Sequence, residues 1–383
     1  MTLKTIISLF LLVVTACGCS IQPPLHLRQN VEVAVALETK VNLNVMWQVN
    51  WEAKWSFRWN TEVLGPVGYT EPASMRVHVY PLDADGNRKD HSVLNFYGTS
   101  AEIPVIVGTY DLLFHNNDSE VLLFQTDENE QVHSYTRQIS SGLKDSAPVM
   151  TSAQKAAAQE GGTKADGDDT KTPAEEPVNL MPDPLFSLFD RGQEISADLS
   201  LYEYIDGKYV IHINGELQPS TYIYLIQIHL LNNGDRVIGS EGGAAVTGLA
   251  SGVNLNTGIN SSTTASVPFD VYTDRTLDMM GARMVTFGIP DCNPYDEESV
   301  NAANADPEAR NFLVLNVTYG NGTWKNVRID ITDKLRALPL GGVIDLELDV
   351  EDFPPEGGVE SGSGFQALID GWEEEEGHTT ITN

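Results

Sequence analysis

The chain has 383 residues and carries 23 Lys and Arg against 54 Asp and Glu, a formal net charge of −31 at pH 7. That charge argues against a nucleic-acid partner, because binding to a phosphate backbone relies on Lys and Arg displacing counterions. Hydrophobic residues make up 41% of the chain, which excludes wholesale disorder, and the length predicts two domains. The 3 cysteines, two of them near the N-terminus, are too few to predict a disulfide framework or a conventional zinc cluster.

Residues 1–16 have the pattern of a bacterial lipoprotein signal peptide. Lys4 gives a short basic start, and the apolar run over residues 6–14 is too short to remain as a membrane-spanning helix. A β-branched residue and two small residues then precede Cys17, which we expect to carry the lipid, palmitate included; Cys19 is the alternative site. Residues 17–29 would form a tether, and the acyl chains would hold the protein at the cell outer membrane. A plain secretory signal is the alternative interpretation.

A long alternating segment follows the tether. From Val41 to Trp59 the odd positions are apolar or aromatic and most even positions are polar, and this period of two predicts a strand with one buried face. A strand of this length would be longer than a domain is wide, so we expect a bend, a bulge or a break within it. Four tryptophans share the apolar face: Trp47, Trp51, Trp55 and Trp59. We predict that they belong to the core; the alternative is an exposed row that stacks on sugar rings.

Shorter strands separated by turn residues continue to about residue 143. They are predicted at residues 75–79, 103–107, 110–114 and 121–124. The sequence DADGN at residues 83–87 resembles the start of a calcium loop but lacks the closing Glu, so we predict a hairpin turn there. Residues 30–143 are therefore predicted to form an N-terminal β-sandwich. Residues 144–182 are acidic and nearly free of large apolar side chains, which predicts a low-complexity linker.

Residues 183–372 are predicted to form a second β-sandwich. Residues 221–231 are apolar on both faces, which predicts a central strand, and GNG at residues 320–322 is the clearest hairpin signal. Residues 332–338 predict a short helix. A last strand is expected before an acidic tail over residues 373–383. Its inward-facing positions are Phe365, Ala367 and Ile369, and it is expected to end at the anchoring Trp372.

The sequence contains no motif that points to catalysis, a metal or a cofactor. It has no H-E-x-x-H, G-x-S-x-G or phosphate-loop pattern, and its 8 histidines form no close cluster along the chain. His78 and His212 are expected on the solvent face of strands. Cys292 lies in a PDCNP loop with no His beside it, which predicts an inert thiol. We therefore expect a protein that is not an enzyme and that needs no cofactor.

Six stretches of the chain carry a family resemblance. They are MRVHVYP at residues 75–81, IPVIVGTYD at 103–111, LFHNNDS at 113–119, VTGLASGVNL at 246–255, IDITDKL at 329–335 and FQALIDGW at 365–372. These motifs resemble those of fimbrial anchor and minor-pilin-type lipoproteins of the Bacteroidales, a group that includes an uncharacterised lipoprotein branch. The resemblance implies an all-β fold of two tandem transthyretin-like, Greek-key β-sandwich domains.

The resemblance also implies a lipid-held role at the base or tip of a surface fimbrium, or pilus, with other pilin subunits as partners. We expect adhesion or assembly by strand exchange, in which an exposed sheet edge accepts a strand from a neighbouring subunit. The alternative function is a lipid-anchored glycan-binding protein of the outer membrane, with a host or glycan ligand on exposed tryptophans.

Overall fold

The structure, a computed structural model, describes residues 32–44, 50–89, 91–140, 147–148, 176–240 and 242–356. Over these residues the fold is mainly strands, so the all-β prediction is confirmed. The strands up to the predicted linker and within it are β1 (Glu32–Val41), β2 (Ser74–Pro81), β3 (Ser92–Tyr97), β4 (Ser100–Ile106), β5 (Gly108–Asn116), β6 (Leu122–Thr126), β7 (Val132–Thr136), β8 (Gln138–Ser140), β9 (Ala147–Pro148) and β10 (Val178–Asn179).

The later strands are β11 (Phe186–Ile195), β12 (Glu203–Ile205), β13 (Lys208–Pro219), β14 (Tyr222–Leu231), β15 (Val237–Gly239), β16 (Ala244–Ala250), β17 (Gly252–Asn254), β18 (Thr264–Phe269), β19 (Tyr272–Asp274), β20 (Met279–Thr286), β21 (Phe312–Tyr319), β22 (Trp324–Asp330) and β23 (Gly342–Asp349). The helices are α1 (Thr61–Leu64), α2 (Glu297–Asn304) and α3 (Thr332–Arg336), with 3-10 turns at Trp51–Ala53, Leu199–Leu201 and Val350–Asp352.

The first sandwich packs a layer of β4, β1 and β13 against a layer of β3, β2, β5 and β11, and the two layers join where β11 pairs with the end of β13. Its core follows the period of two along each strand. Val33, Val35 and Leu37 of β1 are buried with Met75 and Val77 of β2 in one hydrophobic cluster. The sequence of β1 therefore alternates as a half-buried strand does. The prediction placed the first strand further along the chain, from Val41 to Trp59.

The second sandwich packs two sheets around a larger core. One sheet has the order β8–β10–β18–β16–β21–β22–β9, with β15 beside β21, and the other has the order β19–β20–β14–β23. Residues 319–323 close the β21–β22 hairpin as predicted, because Gly322 adopts a φ of +81° that suits its missing side chain. The predicted helix after residue 331 is α3, whereas α2, capped by Asp296, was not predicted.

Strand β14 contributes to both cores, which confirms the prediction of a strand buried on two faces. Tyr224 and Ile226 belong to the core of the second sandwich. Ile223 and Leu225, on the opposite face, belong to the core of the first. The four-stranded sheet is therefore a wall shared by the two sandwiches, and the two units are joined by apolar packing as well as by the chain.

A third, small sheet covers the outer face of the first sandwich. It has the order β17–β7–β6, and its strands come from both halves of the chain. Its buried cluster joins Leu122 and Val132 of this sheet with Tyr80 and Leu113 of the sandwich. The first sandwich is thus held to the second at two places, the shared wall and this sheet.

The predicted domain boundaries do not coincide with the sheets. Strands β11 and β13 lie after the predicted linker, but β11 pairs with β5 and β13 pairs in parallel with β1. The assignment of residues 186–219 to the second sandwich is therefore wrong, since strand pairing is set by tertiary contacts and not by distance along the chain. The described parts of the predicted linker include β9 and β10, which lie in a sheet of the second sandwich.

Candidate functional site

Several predicted site residues lie outside the described residues. They are the lipidation candidates Cys17 and Cys19, the first tryptophan of the row, Trp47, and the C-terminal strand residues Phe365, Ala367, Ile369 and Trp372. Each of these stays a prediction. Among the described residues, no helix is long and apolar enough to cross a membrane.

The other three tryptophans lie on a connecting segment, residues 51–69, and not on the predicted strand. Asn50 takes a left-handed φ of 51°, and the carbonyl of Trp51 accepts hydrogen bonds from the main-chain N–H groups of Lys54 and Trp55 at 3.0 and 2.9 Å. The strand prediction is therefore wrong for residues 50–59. Trp51, Trp55 and Trp59 are half-buried, and the Nε1 of Trp59 donates to the carbonyl of Gly65 at 3.0 Å.

This connecting segment is fastened to the shared wall by side chains of the wall. Gln227, which is buried on β14, accepts a hydrogen bond from the main-chain N–H of Ser56 at 2.9 Å and donates from Nε2 to the carbonyl of Lys54 at 2.9 Å. Arg283 of β20 likewise donates from Nε to the carbonyl of Val67 at 2.9 Å. The main-chain groups of the segment thus bond to these side chains and to one another in local turns, and not to a neighbouring strand.

The aromatic rings of the same segment pack on the wall. The ring of Phe57 lies so close to Gly281 that a Cβ at that glycine would be 2.3 Å from the ring. The ring of Trp59 meets that of Tyr272 edge to face, with centroids 5.4 Å apart. These contacts give the described tryptophans a structural role between the sandwiches.

The most accessible main-chain edge of the second sandwich belongs to β23. This strand pairs in parallel with β14 over eight residues, from Gly342 to Asp349. Among the described residues, no strand pairs with its other edge. Ile344, Leu346 and Leu348 point into the core, so the strand is rigidly seated while half of its main-chain groups face outwards.

Carboxylates cover the outer face of this edge. Asp345, Glu347 and Asp349 alternate with the core residues of β23. The Nε2 of His229 lies 3.1 Å from a carboxylate oxygen of Asp345. Charged side chains on an exposed edge oppose unspecific pairing with other chains, so this edge favours a strand of complementary charge.

The remaining described edges are poorer templates. Strand β4 contains Pro104, which has no N–H to donate to an incoming strand. Strand β3 has six residues, most of them exposed, and β19 has three. Strand β23 is therefore a longer acceptor edge than β3 or β19, and unlike β4 it contains no proline.

A pair of buried histidines lies beneath the small sheet. His78 of β2 and His115 of β5 face each other with their Nε2 atoms 3.2 Å apart. The Nδ1 of His115 is 2.8 Å from the carbonyl of Asn116 and must donate to it, so the Nε2 of His115 accepts a hydrogen bond from the Nε2–H of His78. The Nδ1 of His78 is then a buried acceptor with no hydrogen-bond partner among the described residues. The expectation that His78 faces solvent is wrong, because β6 and β7 cover this face.

Both histidines are held neutral by this environment. Burial, together with the smaller effects of the charges of Arg76 and His91, lowers the pKa of His78 to about 4. Burial also lowers the pKa of His115 to about 3, against a smaller opposite effect of its bond to the Asn116 carbonyl. The described residues contain no group of three or more side chains that could hold a metal ion. The pair is therefore a buried and neutral element of the protein core.

The fold is that of a two-sandwich β protein. The chain belongs to the family described as Domain of unknown function (DUF5119), whose profile matches residues 56–270. No curated protein matches the chain.

Similar solved structures are those of surface proteins of Bacteroidales. A candidate adhesin from Bacteroides ovatus is 17% identical, with a TM-score of 0.47 over 89% of this chain and 99% of its own. The fimbrial anchor protein Mfa2 from Porphyromonas gingivalis is 14% identical, with a TM-score of 0.39 over 83% of this chain and 91% of its own. The tip fimbrial protein Mfa3 from the same organism is 10% identical, with a TM-score of 0.33 over 78% of this chain and 82% of its own. These are the proteins that the sequence motifs resemble.

Proposed function

We propose that the protein is a non-enzymatic, lipid-anchored subunit of a surface fimbrium, which takes part in adhesion or assembly by accepting a strand from a neighbouring subunit on the edge of β23. The observation that carries this proposal is the outer edge of β23, with which no other described strand pairs. An incoming strand would gain main-chain hydrogen bonds along this edge, while the side-chain contacts would set its register.

The charges of the edge indicate what kind of strand it accepts. Asp345, Glu347 and Asp349 would lie beside side chains of an added strand on the same face of the sheet. Opposite charges at neighbouring positions stabilise a strand pair and like charges destabilise it. The proposed donor strand therefore carries Lys or Arg at alternate positions. The segment around Ile369 of this chain has no basic residue, so we propose that the donor is another subunit.

Crosslinking in cells tests this proposal. A photoreactive amino acid at Glu347 of the full-length chain should form a covalent adduct with another fimbrial subunit. The same group at Glu298, an exposed residue of α2, is the matched control. Absence of an adduct at position 347, or equal adducts at both positions, would contradict strand acceptance at this edge.

The lipid anchor is tested separately. We propose acylation at Cys17 or Cys19, so labelling with a fatty-acid probe should be lost when both are changed to Ser. Single substitutions then show which of the two carries the lipid. Undiminished labelling of the double variant would contradict lipid anchoring but would leave strand acceptance intact.

A further inference from the structure

A cleft opens on the small sheet, at the opposite side from its buried face. It has a volume of 540 Å³ and runs along β7, β17 and residues 259–262. Residues 259–261 extend the sheet, because the N–H of Asn254 donates to the carbonyl of Ile259 at 2.9 Å and that of Ser261 donates to the carbonyl of Gly252 at 2.8 Å. The cleft therefore has a floor of regular, hydrogen-bonded strand.

The register of the sheet decides which side chains face the cleft. Tyr135 pairs with Gly252, and His133 pairs with Asn254. Successive residues of a strand face opposite sides, so Tyr135 and His133 lie on the cleft side, whereas Ser134 lies on the buried side and is 1% exposed. The half-buried ring of Tyr135 is thus presented to the cleft.

Glycine beside this tyrosine keeps the floor open. A Cβ at Gly252 would lie 2.4 Å from the carbonyl oxygen of Ser134 and 3.1 Å from the Cβ of Tyr135. No other residue fits this position without a shift of the backbone. Gly252, which pairs with Tyr135, has no side chain. Space therefore remains next to the tyrosine ring for a flat ligand.

The lining is rich in uncharged hydrogen-bonding groups. Ser251 and Ser261 face each other with their Oγ atoms 3.4 Å apart, and Ser262 is exposed at the rim. No Asp, Glu, Lys or Arg is among the lining residues, and the Nε2 of His133 is 3.0 Å from a carboxylate oxygen of Asp127. An anionic ligand would find no free cation here and would be repelled by the net charge of −31.

We propose that this cleft binds a neutral saccharide, with a pyranose ring against Tyr135 and its hydroxyl groups bonded to the serines. The C–H faces of a sugar ring pack on an aromatic ring, and sugar hydroxyls both donate and accept, as serine hydroxyls do. A few polar groups placed around an aromatic surface are the usual composition of a small-ligand site. The described tryptophans are less suited to this role because their rings pack against the shared wall.

Binding of neutral oligosaccharides to the full-length chain tests the proposal. The probes are hexasaccharides of mannose, xylose, maltose-type glucose and chitin-type N-acetylglucosamine, with a heparin fragment as the anionic comparison. Tyr135→Ala should weaken the binding of at least one neutral probe about tenfold, equivalent to about 1.4 kcal/mol. Ser262→Trp, at an exposed position, should obstruct the cleft and have the same effect.

Tyr97→Ala is the matched control, because Tyr97 is 92% exposed on β3, away from the cleft. Its affinity should stay within about twofold of the wild type. The proposal is overturned if no neutral probe binds at about 1 mM, if only heparin binds, or if both cleft variants bind like the wild type. Crosslinking at Glu347 should be unchanged by Tyr135→Ala, so this test and that of strand acceptance are independent.

Discussion

The buried pair His78 and His115 should make the protein lose stability in mild acid. In the unfolded chain both side chains titrate near the ordinary histidine pKa of about 6.5. In the folded chain the pKa of His78 is about 4 and that of His115 is about 3. Because the folded pKa values are lowered, the stabilisation is complete above pH 6.5 and is lost as the pH falls towards 4 and 3.

The size of the effect follows from these values. At pH 5 a histidine of the unfolded chain is almost fully protonated, while both histidines of the folded chain remain neutral. Each histidine therefore lowers the free energy of unfolding by about 2 kcal/mol relative to pH 8. The pair therefore lowers the free energy of unfolding by about 4 kcal/mol between pH 8 and pH 5, a large share of a typical domain stability. The half-buried carboxylates Asp83, Asp127 and Asp274, whose pKa values are lowered in the fold, titrate below this window.

Urea unfolding followed by tryptophan fluorescence at pH 8 and pH 5 measures this difference. The double variant His78→Phe, His115→Phe replaces both polar partners by apolar rings and should lose most of the pH dependence, while its stability at pH 8 should change little. His212→Phe, at a half-exposed position on β13, should keep the wild-type profile. The reasoning would be refuted if the free energy of unfolding of the wild type fell by less than about 1 kcal/mol between pH 8 and pH 5. It would also be refuted if that of the double variant fell as much as that of the wild type.

Two further predictions concern the shared wall and the buried thiol. Gly281→Ala places a methyl group against the ring of Phe57 and should destabilise the protein by about 1–3 kcal/mol in urea unfolding. Gly68→Ala, where a Cβ meets open space, should be nearly neutral. Equal effects of the two substitutions would contradict the packing of residues 51–69 on the wall. The thiol of Cys292 is buried, and burial raises its pKa to about 11. In a chain whose two N-terminal cysteines are Ser, Ellman's reagent should find no reactive thiol at pH 8 until denaturant is added; fast labelling of the native protein would show that this loop is open.

The sequence predicts strands well where each strand follows the period of two within its own sandwich. Residues 75–79 are an example, and residues 221–231 were recognised as buried on both faces. The tryptophan segment misled the prediction because its alternation reflects packing on a neighbouring sheet. No local pattern reveals that Gln227, far along the chain, satisfies the main-chain groups of that segment.

Pairing between distant segments explains the other differences. Sequence patterns do not show that β11 and β13 complete the first sandwich, because their partners β5 and β1 lie far away along the chain. The burial of His78 depends on the hairpin of β6 and β7, which folds over the outer face of β2. The cleft at Tyr135 is equally invisible in the sequence, since it forms only when β17, from the second half of the chain, pairs with β7.

Backbone hydrogen exchange along β23 tests the central claim most directly. In the free protein, alternate amides between Gly342 and Asp349 are bonded to β14 and should exchange slowly, while those between Gly342 and Leu346 that face away from β14 should exchange quickly. In protein isolated within assembled fimbriae, the fast amides should become protected, because an added strand would accept their hydrogen bonds. Unchanged fast exchange in the assembled state would contradict strand acceptance at this edge.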